Sequence, residues 1–153
     1  MANLLPIDFS QISTYITLAV ILILSVVLCM LAYRLMNVVP AKWLCDYDEE
    51  PDESLLGTRY IFKQSGIYTS ALFAIFNLGI FAFFGYSYYT IFFLLISITM
   101  LLIAMSDFKY TIIPDQFTIA LAVLCVALAI TDLFTQQISV SYTHLRAHET
   151  LMN

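Results

Sequence analysis

Four stretches of the chain are each apolar for about 18 to 21 residues, close to the roughly 20 that a helix needs to cross a hydrocarbon core of about 30 Å. They cover residues 15–35, 67–86, 88–105 and 117–134. Charge enters them at only two positions, Arg34 and Asp132, each near an end. Lipid offers no hydrogen bonds, so a segment buried in it must satisfy its own backbone. Open strands are thereby excluded and helices remain. The stretches need no polar face, since lipid is apolar on every side. Composition agrees: 61% of the 153 residues are hydrophobic and 11% are charged, against about 25% charged in a soluble domain. The fold class this predicts is all-α, a polytopic membrane protein with four transmembrane helices in a partial helical bundle.

No Lys or Arg precedes Arg34. The first stretch therefore lacks the basic start of a signal peptide, is too long for its apolar region, and reads as a retained span. Arg34 ends the first stretch, Lys42, Arg59 and Lys63 fall between the first and second, and Lys109 falls between the third and fourth. The positive-inside rule puts both connections in the cytoplasm and the N-terminus outside. The expected order is an extracytoplasmic tail at 1–14, a span at 15–35, a cytoplasmic loop at 36–66, and three spans within 67–134, the second and third joined tightly around Gly85. The lipid bilayer is the first expected partner. Nucleic acid is not one, because no basic face exists to bind phosphates. Cys29 and Cys125 lie within spans, where a thiol packs as a small apolar group. Cys45 lies in the loop. No Cys-x-x-Cys occurs, so no zinc ligand set and no metal is expected.

The loop contains "PAKWLCDYDEEPDESLLGTRY". Its acidic middle, from Asp46 to Glu53, reads as a solvated linker, with Trp43 anchored at the headgroups. The spacing is not that of a calcium-binding EF-hand loop. The last fourteen residues, 140–153, look foreign: "VSYTHLRAHET" resembles the conceptual translation of a transposon-end sequencing adapter. Both histidines of the chain, His144 and His148, lie there. Their spacing matches a helical metal pair, but a translated adapter is the reading we adopt. The natural reading frame is then expected to continue beyond about Ser139.

The chemistry-bearing stretch is "SDFKYTIIPDQF", residues 106–117, of which 106–116 are expected as a loop between the third and fourth spans. Asp107 follows an apolar span directly. It is either a helix-end residue in the headgroup layer or, if it sits deeper, a functional carboxylate, because burial in the bilayer costs about 2.5–3.5 kcal/mol on insertion scales. Pro114 suits the start of a helix, and Asp115 then adds a carboxylate where the helix dipole favours one. Lys109 is expected to snorkel to the headgroups.

"SDFKYTIIPDQFTIAL", closing one apolar span and opening another, resembles the first catalytic motif of the type IV prepilin leader peptidases, which are intramembrane aspartyl proteases. "PAKWLCDYDEEP" also resembles the first loop of a subset of that family. Together the resemblance covers residues 32–134. It implies that Asp107 is a catalytic aspartate, that Asp115 is the non-catalytic acid of a Pro-Asp pair, and that Lys109 and Pro114 support the motif. It implies a peptidase of the bacterial plasma membrane that cleaves the leader of prepilins or pseudopilins at the cytoplasmic face. Two carboxylates sharing a proton would activate water, with no cofactor, metal or covalent intermediate.

The family's second aspartate stands in a Gly-x-Gly-Asp motif, and this sequence has none: its glycines are Gly57, Gly66, Gly79 and Gly85. The chain as written is therefore expected to be the inactive N-terminal half of such an enzyme. With only Cys45 in the loop, the paired cysteines of family members that also methylate pilins are missing. Two other readings stay open: a small non-catalytic polytopic protein or subunit, and a piece of a transporter with Asp107 on an ion path.

Overall fold

A computed structural model describes residues 11–45, 50, 51 and 53–151, with backbone alone for 54 and 136–151. The predicted N-terminal tail lies outside the described residues up to position 10, as do Asp46 to Glu49 and Asp52 of the acidic linker. The described secondary structure is entirely helical. Four long helices follow one another: α1 (Ile12–Val38), α2 (Gln64–Phe84), α3 (Tyr88–Tyr110) and α4 (Asp115–Leu151). Two short 3-10 turns, Ala41–Leu44 and Glu53–Leu55, interrupt the connection between α1 and α2. Each long helix contains a stretch long and apolar enough to cross a membrane, which in α4 is Asp115–Thr135. The chain is an all-helical membrane protein with four candidate spans.

The helix ends follow from local chemistry. α1 stops before Pro40, and Val39 takes the extended conformation (φ −54°, ψ 130°) that a following proline imposes. α2 and α3 turn about Gly85, whose φ of 56° and ψ of −144° suit a residue without a Cβ. The Gly85 N–H bonds the Phe81 carbonyl at 2.8 Å, and the Thr90 hydroxyl donates to the Gly85 carbonyl at 2.6 Å. α3 runs on past the apolar stretch to Tyr110. Ser106 to Lys109, expected as loop, are therefore its last turns. No glycine or proline stands between Met105 and Tyr110 to break the helix. α4 likewise continues through 140–151, a segment free of glycine and proline.

α1 packs chiefly on α2, and α4 chiefly on α3, which also touches α1 and α2. The buried face of α1 carries Ser25, Cys29, Ala32 and Met36, at steps of three and four. That of α2 carries Ser70, Phe73, Ala74, Asn77 and Phe81. Small residues on these faces let helices approach where no hydrophobic force drives them together. Asn77, only 1% exposed, ties three helices. Its Nδ2 donates to Ser25 Oγ of α1 at 2.9 Å, and Ser97 Oγ of α3 donates to its Oδ1 at 2.7 Å. Ser25 in turn donates to the Ile21 carbonyl at 2.7 Å. Large apolar side chains such as Ile16, Leu24, Phe76, Leu95 and Val126 point outwards, as a lipid-facing surface requires.

Replacing Asn77 by Leu removes both interhelical bonds and leaves the Ser25 and Ser97 hydroxyls only their intrahelical acceptors, the Ile21 and Leu94 carbonyls. Unfolding in bicelles is expected to show a loss of about 1 kcal/mol, the scale of such bonds in membrane bundles, and Ser97→Ala a smaller loss. Wild-type stability in Asn77→Leu would show that the network contributes nothing.

Candidate functional site

The connection between α1 and α2 folds back over one end of the bundle, and arginine chemistry holds it there. The last carbonyls of a helix have no partner within the helix. Arg59 supplies one at α1: its Nη1 donates to the Val39 carbonyl at 2.5 Å and to that of Met36 at 3.2 Å. Its Nε donates to the Leu55 carbonyl at 2.7 Å. A cation here also meets the negative end of the helix dipole. Asn37 completes the clasp. Its Oδ1 accepts the N–H of Arg59 and of Tyr60, each at 2.8 Å, and its Nδ2 donates to the Tyr60 carbonyl at 2.8 Å.

Held this way, Tyr60 reaches α3, and its hydroxyl donates to the Met105 carbonyl. Its ring meets Tyr33 edge-on at 5.9 Å and Tyr110 at 6.2 Å. Phe62 packs edge-on against Tyr33 at 5.3 Å. It leaves no room on α2 beyond a glycine, since a Cβ on Gly66 would lie 2.6 Å from the Phe62 ring. Burial first, then the neighbouring Tyr110 and Tyr33, push the Tyr60 hydroxyl above the ordinary tyrosine range, while Arg59 pulls it down.

Lys109, exposed at the end of α3, reaches across to the connection between α1 and α2. Its Nζ donates to the Arg59 carbonyl and sits 4.6 Å from the centre of the Tyr60 ring and 5.3 Å from that of Tyr110. The reason is a ready acceptor flanked by two π faces, which attract an ammonium. Through this lysine the end of α3 meets the connection between α1 and α2 at one end of the bundle.

Asp107 stands in the last turn of α3, exposed beside Phe108, which is 95% exposed. The Asp107 carbonyl accepts the Thr111 N–H at 2.8 Å, and the buried Ser106 donates to the Ile112 carbonyl at 2.8 Å. No hydrogen bond or ion pair among the described residues engages the Asp107 carboxylate. Thr111 closes the helix in the left-handed region (φ 57°, ψ 23°), a strained place for a β-branched residue. The Tyr110 hydroxyl is buried with no partner among the described residues. Pro114 is buried, and its carbonyl accepts the N–H groups of Phe117 at 3.0 Å and Thr118 at 3.3 Å, so it caps α4. Asp115 is the first residue of α4 and exposed.

The two acids differ in one physical respect. Asp115 lies at a helix N-terminus, where the dipole stabilises a carboxylate by about 0.3–1 kcal/mol. Asp107 lies at a helix C-terminus, where the same dipole opposes one. Local structure accounts for Asp115 and does not account for Asp107. The described residues bring no second acid into hydrogen-bonding contact with Asp107, and they contain no group of three or more His, Cys, Asp or Glu that could hold a metal.

At the far end of the bundle the second charge inside the apolar stretches has structural work. Asp132 of α4 accepts the hydroxyls of Tyr88, at 2.9 Å, and Tyr89 of α3. Sequence reasoning named Asp132 and Arg59 only as charges, and missed this clamp, the contacts of Arg59, and the parts played by Asn37, Tyr60 and Asn77. Asn77 had a signal available, being an amide in the middle of an apolar span. No family model, no curated protein and no solved structure matches the chain.

Two measurements test this account. Thr111→Gly is expected to raise stability by about 1 kcal/mol by relieving the left-handed strain; a loss would show that the threonine is not strained. The stabilisation tied to neutral Tyr60 is intact below about pH 10, where unfolded tyrosine ionises, and drains away as pH rises towards its higher folded value. Wild-type stability should therefore fall above about pH 10, and Tyr60→Phe, less stable at neutral pH, should fall less steeply. Parallel pH profiles for the two proteins would refute that assignment.

Proposed function

We propose that this chain carries part of the active site of an intramembrane aspartyl peptidase that removes the leader from prepilins or pseudopilins, with Asp107 as one of its two water-activating carboxylates. The observation that carries the reading is the placement of Asp107: exposed, without a partner among the described residues, and at a helix end whose dipole opposes it. The sequence around it, from Ser106 through the Pro114–Asp115 start of α4, supports the same reading. By the positive-inside rule the end bearing Arg34, Lys42, Arg59, Lys63 and Lys109 faces the cytoplasm of a bacterial plasma membrane, and the N-terminus lies outside. A basic leader approaching from the cytoplasm would then reach Asp107 at the membrane surface.

The chemistry needs a pair. One carboxylate takes the proton of the attacking water while the other, protonated, supports the carbonyl oxygen. This sequence has no Gly-x-Gly-Asp to supply the second acid, so these residues alone are expected not to cleave. Asp115, Pro114 and Lys109 hold the turn and touch no reacting atom in this scheme.

The test uses the protein encoded by the intact locus with a prepilin in proteoliposomes. Asp107→Asn is expected to lower leader removal by about 10²–10⁴-fold, the range for loss of a general acid–base group, with membrane insertion unchanged. Asp115→Asn should lower it less than about tenfold, through loss of the dipole contact. Full cleavage by Asp107→Asn would leave both acids as boundary residues of a non-catalytic membrane protein.

A further inference from the structure

The two arginines at the charged end have opposite fates. Arg59 is consumed by three carbonyls. Arg34 is exposed on α1, and no hydrogen bond or ion pair among the described residues engages it. It borders a groove of about 520 Å³ between α1 and the segment 58–62, a size typical of sites for small ligands. Val27, Met30 and Leu31 line the groove along α1, and Ile61 and Phe62 line it from the connection. Its polar groups gather at the other end, with Arg34, Asn37 and Thr58. From Val27 to Arg34 the helix rises about 10 Å, so the groove changes from apolar to cationic along the direction in which a lipid changes from chain to headgroup. Met30 and Leu31 are each 45% exposed, so the groove opens on the face that lipid covers.

We propose that this groove binds one phospholipid with a net anionic headgroup, its phosphate on Arg34 and an acyl chain along Val27, Met30 and Leu31. Charge complementarity selects this occupant. A guanidinium with no counter-ion among the described residues offers a planar fork that fits a phosphate, and Asn37 and Thr58 line the same end of the groove with further donors. A zwitterionic headgroup carries its own ammonium and pairs with its own phosphate, so it gains less from Arg34. Free phosphate would meet the cation and leave the apolar length of the groove unfilled. The inference does not depend on the peptidase reading.

Native mass spectrometry of the purified chain in detergent tests this, titrating phosphatidylglycerol, phosphatidylethanolamine of the same acyl chains, and inorganic phosphate. One phosphatidylglycerol per chain is expected to bind about tenfold more tightly than phosphatidylethanolamine. Arg34→Gln should bring the two lipids level, Arg34→Lys should keep part of the preference, and Met30→Trp, which fills the groove, should weaken both. Circular dichroism of each variant is expected to match the wild type, since Arg34 and Met30 are exposed. Equal binding of the two lipids by the wild type, undiminished phosphatidylglycerol binding by Arg34→Gln, or displacement of the lipid by inorganic phosphate would each overturn the proposal.

Discussion

In an apolar solvent the body of a helix satisfies itself, and only its ends leave backbone groups without partners. Apart from the Asn77 network within the bundle, the described residues gather much of their polar chemistry at those ends. Arg59 closes the carbonyls of α1, Gly85 bends the turn after α2, Thr111 ends α3, and the Pro114 carbonyl opens α4. Each device reaches across to a neighbour. The arginine that caps α1 lies in the connection to α2, and its carbonyl receives Lys109 from α3. Capping and assembly are therefore the same interactions at the charged end of the bundle.

The four spans were legible because length and hydropathy suffice to mark them. Their ends were less so. Hydropathy falls at Ser106 and Asp107, but the helix does not stop there, because a change of polarity is not a change of backbone geometry. The inner faces were invisible for a related reason. When every side of a helix is apolar, hydrophobic periodicity carries no direction. The buried faces are marked instead by what is small or polar: Ser25, Cys29 and Ala32 on α1, Ser70, Ala74 and Asn77 on α2, Ser97 on α3.

The candidate site was legible in its residues and not in its setting. Asp107, Pro114 and Asp115 stand out in sequence as polar residues at a span boundary. Nothing in the sequence pairs Asn37 with Tyr60, or Lys109 with the Arg59 carbonyl, since these contacts join segments more than twenty positions apart. Nor does the sequence separate Arg34 from Arg59. Both count equally in a charge rule for orientation, yet one is bound to carbonyls and the other is left for a ligand. A charge that looks topological can be structural, and only the fold tells which.

Residues 107 to 111 concentrate three local conflicts within about one helical turn. Asp107 opposes the dipole, the Tyr110 hydroxyl is buried without a partner among the described residues, and Thr111 is β-branched in a left-handed conformation. Each is unfavourable alone, and single substitutions would remove any of them. Elsewhere among the described residues local rules mostly hold, the buried Ser87 hydroxyl being an exception: Asp115 sits where the dipole wants it, Gly85 where φ is positive, and Asn77 with its amide paired on both sides. Local rules fail chiefly where function or strain overrides them. A helix end made only to enter the headgroup layer would need none of the three, whereas an end that presents a carboxylate to a reacting peptide must hold it exposed, unpaired and fixed in place. That difference, more than the presence of two acids, is why the turn after α3 reads as a place of chemistry.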